Sequence, residues 1–331
     1  MRNSKDESFF TGLQKTFSRN FRITQLFAAY LEHYPEFIKK EMIDALTEDG
    51  VITKKEALTA LIGEMLGLDT EMSEDRYLLR NYVTPAVRIL DAEKYINNPY
   101  YKNIRIENAS LKSWELRLEE YPAYRAAICD DMVIGEDYEE YPPLGFFEKS
   151  FKFPAVLEDG NEWMTLTPVD LDTCEEAIAA AHGRVVTFGL GLGYYAYMVS
   201  ENPSVEKILV VEKSPEVIEL FSTLILPQFP NKEKVEIVNC DAFYYAEHIM
   251  PEERFDVAFV DTWRDASDGA PMYRRMKPLE RLSPNTKFLY WIENFLRSRV
   301  RAENYGKLLD EIDGGASIPD RDEIKRLLDK I

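Results

Sequence analysis

Val185-Val186-Thr187-Phe188-Gly189-Leu190-Gly191-Leu192-Gly193-Tyr194-Tyr195 is the stretch that decides the fold. Its first four residues are β-branched or aromatic, the types that fit a pleated, buried surface, and they predict a strand over 184–188. Glycine then recurs at alternate positions, so the backbone can turn sharply and a ligand can lie against it without Cβ interference. From Tyr195 an apolar pattern runs to residue 200 and reads as a helix opening on the loop. Strand, glycine loop and helix in that order form a nucleotide-type loop, and the spacing of the downstream acids decides whether it is more than a turn.

Downstream, short apolar runs at 207–212, 235–239, 257–261 and 287–293 alternate with helical stretches such as 215–226. Strands alternating with helices predict a mainly parallel sheet sandwiched by helices, a Rossmann-like α/β fold. Glu212 ends the second run 23 residues after Gly189, where a carboxylate can accept from both ribose hydroxyls. Asp241 follows the third run, with Ala242 beside it, placed to accept from an exocyclic adenine amine. Asp261 closes the fourth run. Consecutive strands thus deliver distinctive residues at their carboxyl ends, which is where open α/β sheets bind ligands.

Over residues 177–295 this pattern resembles the class I S-adenosylmethionine-dependent methyltransferases. The resemblance implies a cofactor loop at Gly189, Gly191 and Gly193, a ribose acid at Glu212, an adenine-side acid at Asp241 next to Ala242, and a further acid at Asp261 near the reacting end. Tyr194, directly after the loop, joins the implied S-adenosyl-L-methionine set. A nicotinamide site fits less well, because Tyr194 stands where its glycine pattern needs glycine or alanine. Two departures from the family are plain. Thr187 occupies the position of its usual acid near the methionine amino group, and the residues after 294 read as helices where the family adds an antiparallel strand pair.

A looser likeness is to the layout of spermidine synthases, carried by the hairpin upstream of the core and by the acidic run Asp261-Thr262-Trp263-Arg264-Asp265-Ala266-Ser267-Asp268. It implies a negative pocket for a cationic amine made by Asp261, Asp265 and Asp268. The expected function is methyl transfer from S-adenosyl-L-methionine to a small-molecule or protein acceptor, with Asp261 and Trp263 orienting or deprotonating that acceptor. Aminopropyl transfer and a non-catalytic cofactor-binding module are the alternatives.

Upstream, apolar residues at helical spacing, as in Ile23, Leu26, Phe27 and Tyr30, predict a helical region over 1–94. Asp49-Gly50 reads as a helix–turn–helix connection and not a calcium loop, since Ala45 stands at the first ligand position. Residues 95–170 are rich in aromatics and prolines and predict strands and turns, with a hairpin of 151–157 and 162–167 turning at Asp159-Gly160. In that segment Asn97-Asn98-Pro99-Tyr100 falls short of an amino-methylating tetrad by one proline. The cofactor domain is then expected over 171–302, its first helix capped by Asp172 or Thr173. Two C-terminal helices over 303–331 are divided by Gly314-Gly315, the last capped near Ser317 with Pro319 in its first turn.

Composition narrows the partners. With 40 Lys and Arg against 59 Asp and Glu, the net charge of −19 argues against binding a phosphate backbone. Cys129, Cys174 and Cys240 are scattered, as are His33, His182 and His248, so neither a disulfide framework nor a metal site is indicated. A charged N-terminus without a secretory apolar stretch, and no long uninterrupted apolar run, predict a soluble cytoplasmic chain with no membrane contact. A homo-oligomer is compatible with all of this.

Overall fold

The structure is a computed structural model and describes residues 4–106 and 109–331. The chain divides into two compact units whose segments interleave: Met1–Asp91, Pro122–Ser150 and Asn294–Ile331 form the first, and Ala92–Tyr121 with Phe151–Glu293 form the second.

In the first unit the helix Ser4–His33 leads into the helices Lys40–Thr47 and Lys54–Met65. The last is started by a capping box in which Thr53 and Glu56 exchange side-chain and backbone bonds. Ile23, Phe27, Ile43, Leu58, Ile62 and Tyr82 are sealed in its main core. A small sheet of Val87–Leu90, Leu144–Phe147 and Ala127–Ile128 completes it. The helices Glu293–Asp313 and Arg321–Leu328 add a second cluster, in which Leu308, Ile324 and Leu328 meet Phe10, Leu13 and Phe17. Two features differ from the expectation here. One continuous helix crosses residue 302, so no boundary falls there, and Asp320, not Ser317, caps the last helix by accepting from the Glu323 N–H. Pro319 precedes that cap, as suits a residue without a backbone N–H to offer.

The second unit carries the parallel sheet, with β1 Gly183–Phe188, β2 Val205–Glu212, β3 Val235–Asn239, β4 Val257–Val260 and β5 Lys287–Tyr290 in the spatial order β3-β2-β1-β4-β5. All four pairings are parallel. This is the Rossmann-like α/β architecture, and among the described residues its sheet ends at β5 without an antiparallel pair. Strand order reverses between β1 and β4, the switch point beside which such sheets open a crevice. The upstream strands build a separate antiparallel sheet in the order Ala109–Leu111, Trp114–Tyr121, Phe151–Glu158, Asn161–Thr165. Its last two strands turn through Asp159 (φ 49°) and Gly160 (φ 79°), the pair of positive angles that an Asp-Gly hairpin turn supplies. Among the described residues no helix is long and apolar enough to cross a membrane.

Local chemistry corrects two of the expected helices. The helix expected to run to residue 181 with Asp172 or Thr173 as its cap is Glu175–Ala180, preceded by Cys174 without a side-chain cap bond, while Thr167 opens a separate short helix, Pro168–Asp172, through a capping box with Asp170. The expected helix over 215–226 is α-helical only from Pro215 to Leu220, where Ser214 caps it, and then widens into a π-helical turn, Phe221–Ile225.

Candidate functional site

A cleft of about 720 Å³ opens at the carboxyl ends of β1, β2 and β4, wholly within the second unit. That volume falls in the range of small-molecule sites. Gly189, Leu190, Gly191, Glu212, Asp241, Ala242, Asp261 and Trp263 all border it. Met164, Thr165 and Trp163 from the hairpin form another wall.

Each loop glycine is required for its own reason. At Gly189 (φ 97°) an added Cβ would lie 1.9 Å from the Asp261 carbonyl oxygen, so only glycine lets the ends of β1 and β4 meet. At Gly193 (φ 75°) the obstacle is the Phe221 ring at 2.2 Å, which packs against the start of the following helix. At Gly191 (φ 50°) an added Cβ would lie 2.6 Å from the Met164 sulfur, so the hairpin lies directly over the middle of the loop.

Glu212 accepts from the Leu190 N–H at 3.1 Å through one carboxylate oxygen and from the Ser214 N–H at 2.8 Å through the other. Its carboxylate is therefore braced on the glycine loop, with its remaining lone pairs available on the cleft side. Asp241 is exposed and spends Oδ1 on the Tyr244 N–H, capping the helix Ala242–His248. Ala242 and Phe243 continue that wall as buried residues. Trp263 is buried, stacks on Tyr290 with centroids 6.3 Å apart, and has an indole N–H without a partner among the described residues.

Not every expected residue reaches the cleft. Tyr194 is buried edge-on against Tyr100, its hydroxyl accepting from Asn98 at 3.1 Å, and it borders only an inner chamber behind the loop. Asp265 does not border the cleft. With Asp268 it forms a capping box that starts the helix Ala266–Met276, and Asp268 also accepts from the Arg264 and Asp265 N–H groups. The acidic run is therefore mostly a helix start, with Asp268 alone of that pair on the cleft wall. The Asn97–Tyr100 segment proves to be a brace, since Asn98 caps the helix Pro99–Asn103 and the Tyr100 hydroxyl donates to the Leu192 carbonyl of the glycine loop at 2.6 Å.

The inner chamber holds about 30 Å³ and is bordered by Met164, Asp170, Cys174, Thr187, Tyr195 and Asp261, among others. Burial pushes the Asp261 carboxyl up to about 8, helped by the neighbouring negative charges of Asp170 and then Glu212. Burial likewise raises Asp170 to about 6 against the pull of its bonds from Thr167. The Cys174 thiol is raised by burial and then by the charges of Asp261 and Asp170. Sequence reasoning missed Asp170. Its one signal was Thr167-Pro168-Val169-Asp170, a capping-box spacing, which says nothing about a partner ninety residues away. Ile292, two residues beyond β5, holds φ at 47°, a strained angle for a β-branched side chain at this edge of the sheet.

No protein-family model and no curated protein matches this chain. Among solved structures it is similar to spermidine synthase from Thermotoga maritima, with TM-score 0.31 and 17% identity over 46% of this chain and 59% of that one. It is similar also to spermidine synthase in complex with the transition-state analogue AdoDATO, with TM-score 0.31 and 17% identity over 46% and 58%. The chain thus spans under two thirds of the length of the structures it matches. The class that the architecture defines is an α/β protein built on a Rossmann-like parallel sheet.

Proposed function

We propose that the chain is an S-adenosyl-L-methionine-dependent methyltransferase acting on a small-molecule or protein acceptor. The observation that carries the reading is the convergence of Gly189, Gly191, Glu212, Asp241 and Asp261 on one cleft at the switch point of the sheet, with Gly193 set back against Phe221. The residues fit an adenosyl sulfonium. Glu212, held by two backbone N–H groups, is oriented to accept from a ribose diol, and Asp241 keeps an oxygen beyond its cap for an exocyclic amine. When bound, the cofactor supplies an electrophilic carbon next to a positive sulfur. The chain's own residues orient the acceptor. The Trp263 indole N–H, without a partner among the described residues, offers a donor, and Asp261, its carboxyl pushed up to about 8, is suited to orient an amine or hydroxyl and to take its proton as pH rises through that value.

Aminopropyl transfer is a second reading, favoured by one observation: among the described residues the inner chamber has two carboxyl groups and no Lys, Arg or His on its wall. Calorimetry with S-adenosylmethionine against its decarboxylated analogue separates the two. In either case Glu212→Ala is expected to raise the dissociation constant about tenfold or more, as loss of a hydrogen bond to a charged group costs roughly 1.5–3 kcal/mol. Asp261→Asn is expected to keep cofactor affinity and lose turnover once an acceptor is found. Unchanged binding in a folded Glu212→Ala protein, or affinity lost together with turnover in Asp261→Asn, contradicts these roles. Tight binding without turnover on a broad acceptor panel favours the non-catalytic module.

A further inference from the structure

The inner chamber is lined by acidic, polar and apolar side chains. Asp170 and Asp261 both border it, Thr187 joins them, and among the described residues no cationic side chain does. Thr167 directs both its N–H and its hydroxyl to Oδ2 of Asp170, at 2.7 and 2.8 Å, so Oδ1 is the oxygen left for a ligand. Tyr195 supplies an independent sign. It is 6% exposed, stacked on Phe259 at 4.3 Å, and its hydroxyl has no hydrogen-bond partner among the described residues. Buried hydroxyls nearly always find a partner, and each lost bond costs about 1–3 kcal/mol. The Asp170 carboxylate and an orphaned hydroxyl beside a space of about 30 Å³ match one group in charge and size: a primary ammonium, whose N–H donors can meet both oxygens.

Resting on the nucleoside reading of the cleft, we propose that the chamber is a primary-ammonium pocket in which Asp170 is the counter-ion and Tyr195 an accepting hydroxyl, and that it receives the amine of the cofactor's tail. Thr187, at the end of β1, carries no charge, and the carboxylate comes instead from the helix after the hairpin. The pocket opens beside Gly189 and Leu190, which border the chamber and the cleft alike, so a nucleoside in the cleft has its tail directed inward.

The test is calorimetry on the full chain with four probes: 5′-methylthioadenosine, which has no amine on its tail; S-adenosylhomocysteine; its decarboxylated analogue; and putrescine, alone and with saturating 5′-methylthioadenosine. Asp170→Asn keeps an oxygen for Thr167 and is expected to weaken both nucleosides with an amine-bearing tail tenfold or more while leaving 5′-methylthioadenosine within twofold. Tyr195→Phe, which leaves the Thr167 cap untouched, is expected to weaken the same two probes several-fold, and it carries the test if the Asp170 variant does not fold. Equal losses for all three nucleosides, or none, overturn the pocket. Loss confined to putrescine overturns the assignment to the cofactor's tail and gives the amine to the acceptor. If no nucleoside binds the unaltered chain, the cofactor reading fails and the tail assignment with it; putrescine binding that depends on Asp170 then keeps the ammonium pocket, and its absence overturns that too.

Discussion

The glycine loop separates residues that look alike in sequence. Gly189 abuts a backbone carbonyl that the pairing of β1 with β4 holds in place, whereas Gly191 abuts the flexible end of Met164. Gly189→Ala is therefore expected to destabilise by more than the roughly 1–3 kcal/mol of an unfavourable backbone conformation alone, and Gly191→Ala by about that amount. Denaturant titration of both variants checks the order, and equal losses would contradict it. Asp261 makes a prediction about pH. Its folded carboxyl is raised to about 8 from an ordinary 3.8, so across that window the folded chain holds a proton that the unfolded chain has released. The group's stabilising contribution is full below the ordinary value and is lost as pH rises through 8. Asp261→Asn, neutral at every pH, is expected to melt progressively higher than the unaltered chain as pH goes from 5 to 8. A gap that stays constant across that range would refute the shifted carboxyl.

At the scale of elements, the acidic run after β4 illustrates how charge is used locally before it serves a ligand. Asp265 accepts from the Ser267 N–H at 2.6 Å, and Asp268 accepts in return from the Asp265 N–H at 3.1 Å, so the two acids start a helix. Asp265→Ala is expected to cost about 1 kcal/mol of stability, the usual loss of a helix cap, and to leave nucleoside affinity unchanged. A large loss of affinity without loss of stability would return Asp265 to the site. The hairpin serves differently: its turn is chosen by Asp159-Gly160, while its second strand delivers Met164 to the loop and Trp163 to the cleft wall, where Trp163 packs edge-on with Trp114 at 4.9 Å.

At the scale of the whole molecule, segments far apart in the chain meet in the first unit. Arg301 pairs with Glu140 at 2.9 Å and Asp329 at 2.6 Å, and Ser298 donates to the same Glu140. Both Arg301 and Glu140 are almost fully enclosed. Removing one partner of a buried pair leaves the other charge without compensation, so Arg301→Met is expected to destabilise by about 3–5 kcal/mol. Exchanging Glu140 for Gln in the same chain should recover part of that loss, because the stranded charge is gone. No recovery in the double variant would show that the guanidinium acts through packing alone.

Residues 185–195 and the periodic runs after them made the parallel sheet and its loop legible, because a buried strand, a glycine turn and a helix each leave a local signature of size, branching and spacing. Glu212, Asp241 and Asp261 were legible for the same reason, as strand-end acids in a parallel sheet share one edge. The first unit was not legible as a unit, since Pro122–Ser150 and Asn294–Ile331 join the N-terminal helices through contacts that no local pattern encodes. Nor was the use of each acid. Asp265 and Asp170 both have the spacing of a helix start, and only tertiary packing turns one toward solvent-side capping and carries the other to the chamber that Asp261 and Tyr195 also border. Local sequence determines which bonds a side chain is able to make, whereas the packing of strands and helices determines which charges end up desolvated together, and desolvation sets their chemistry.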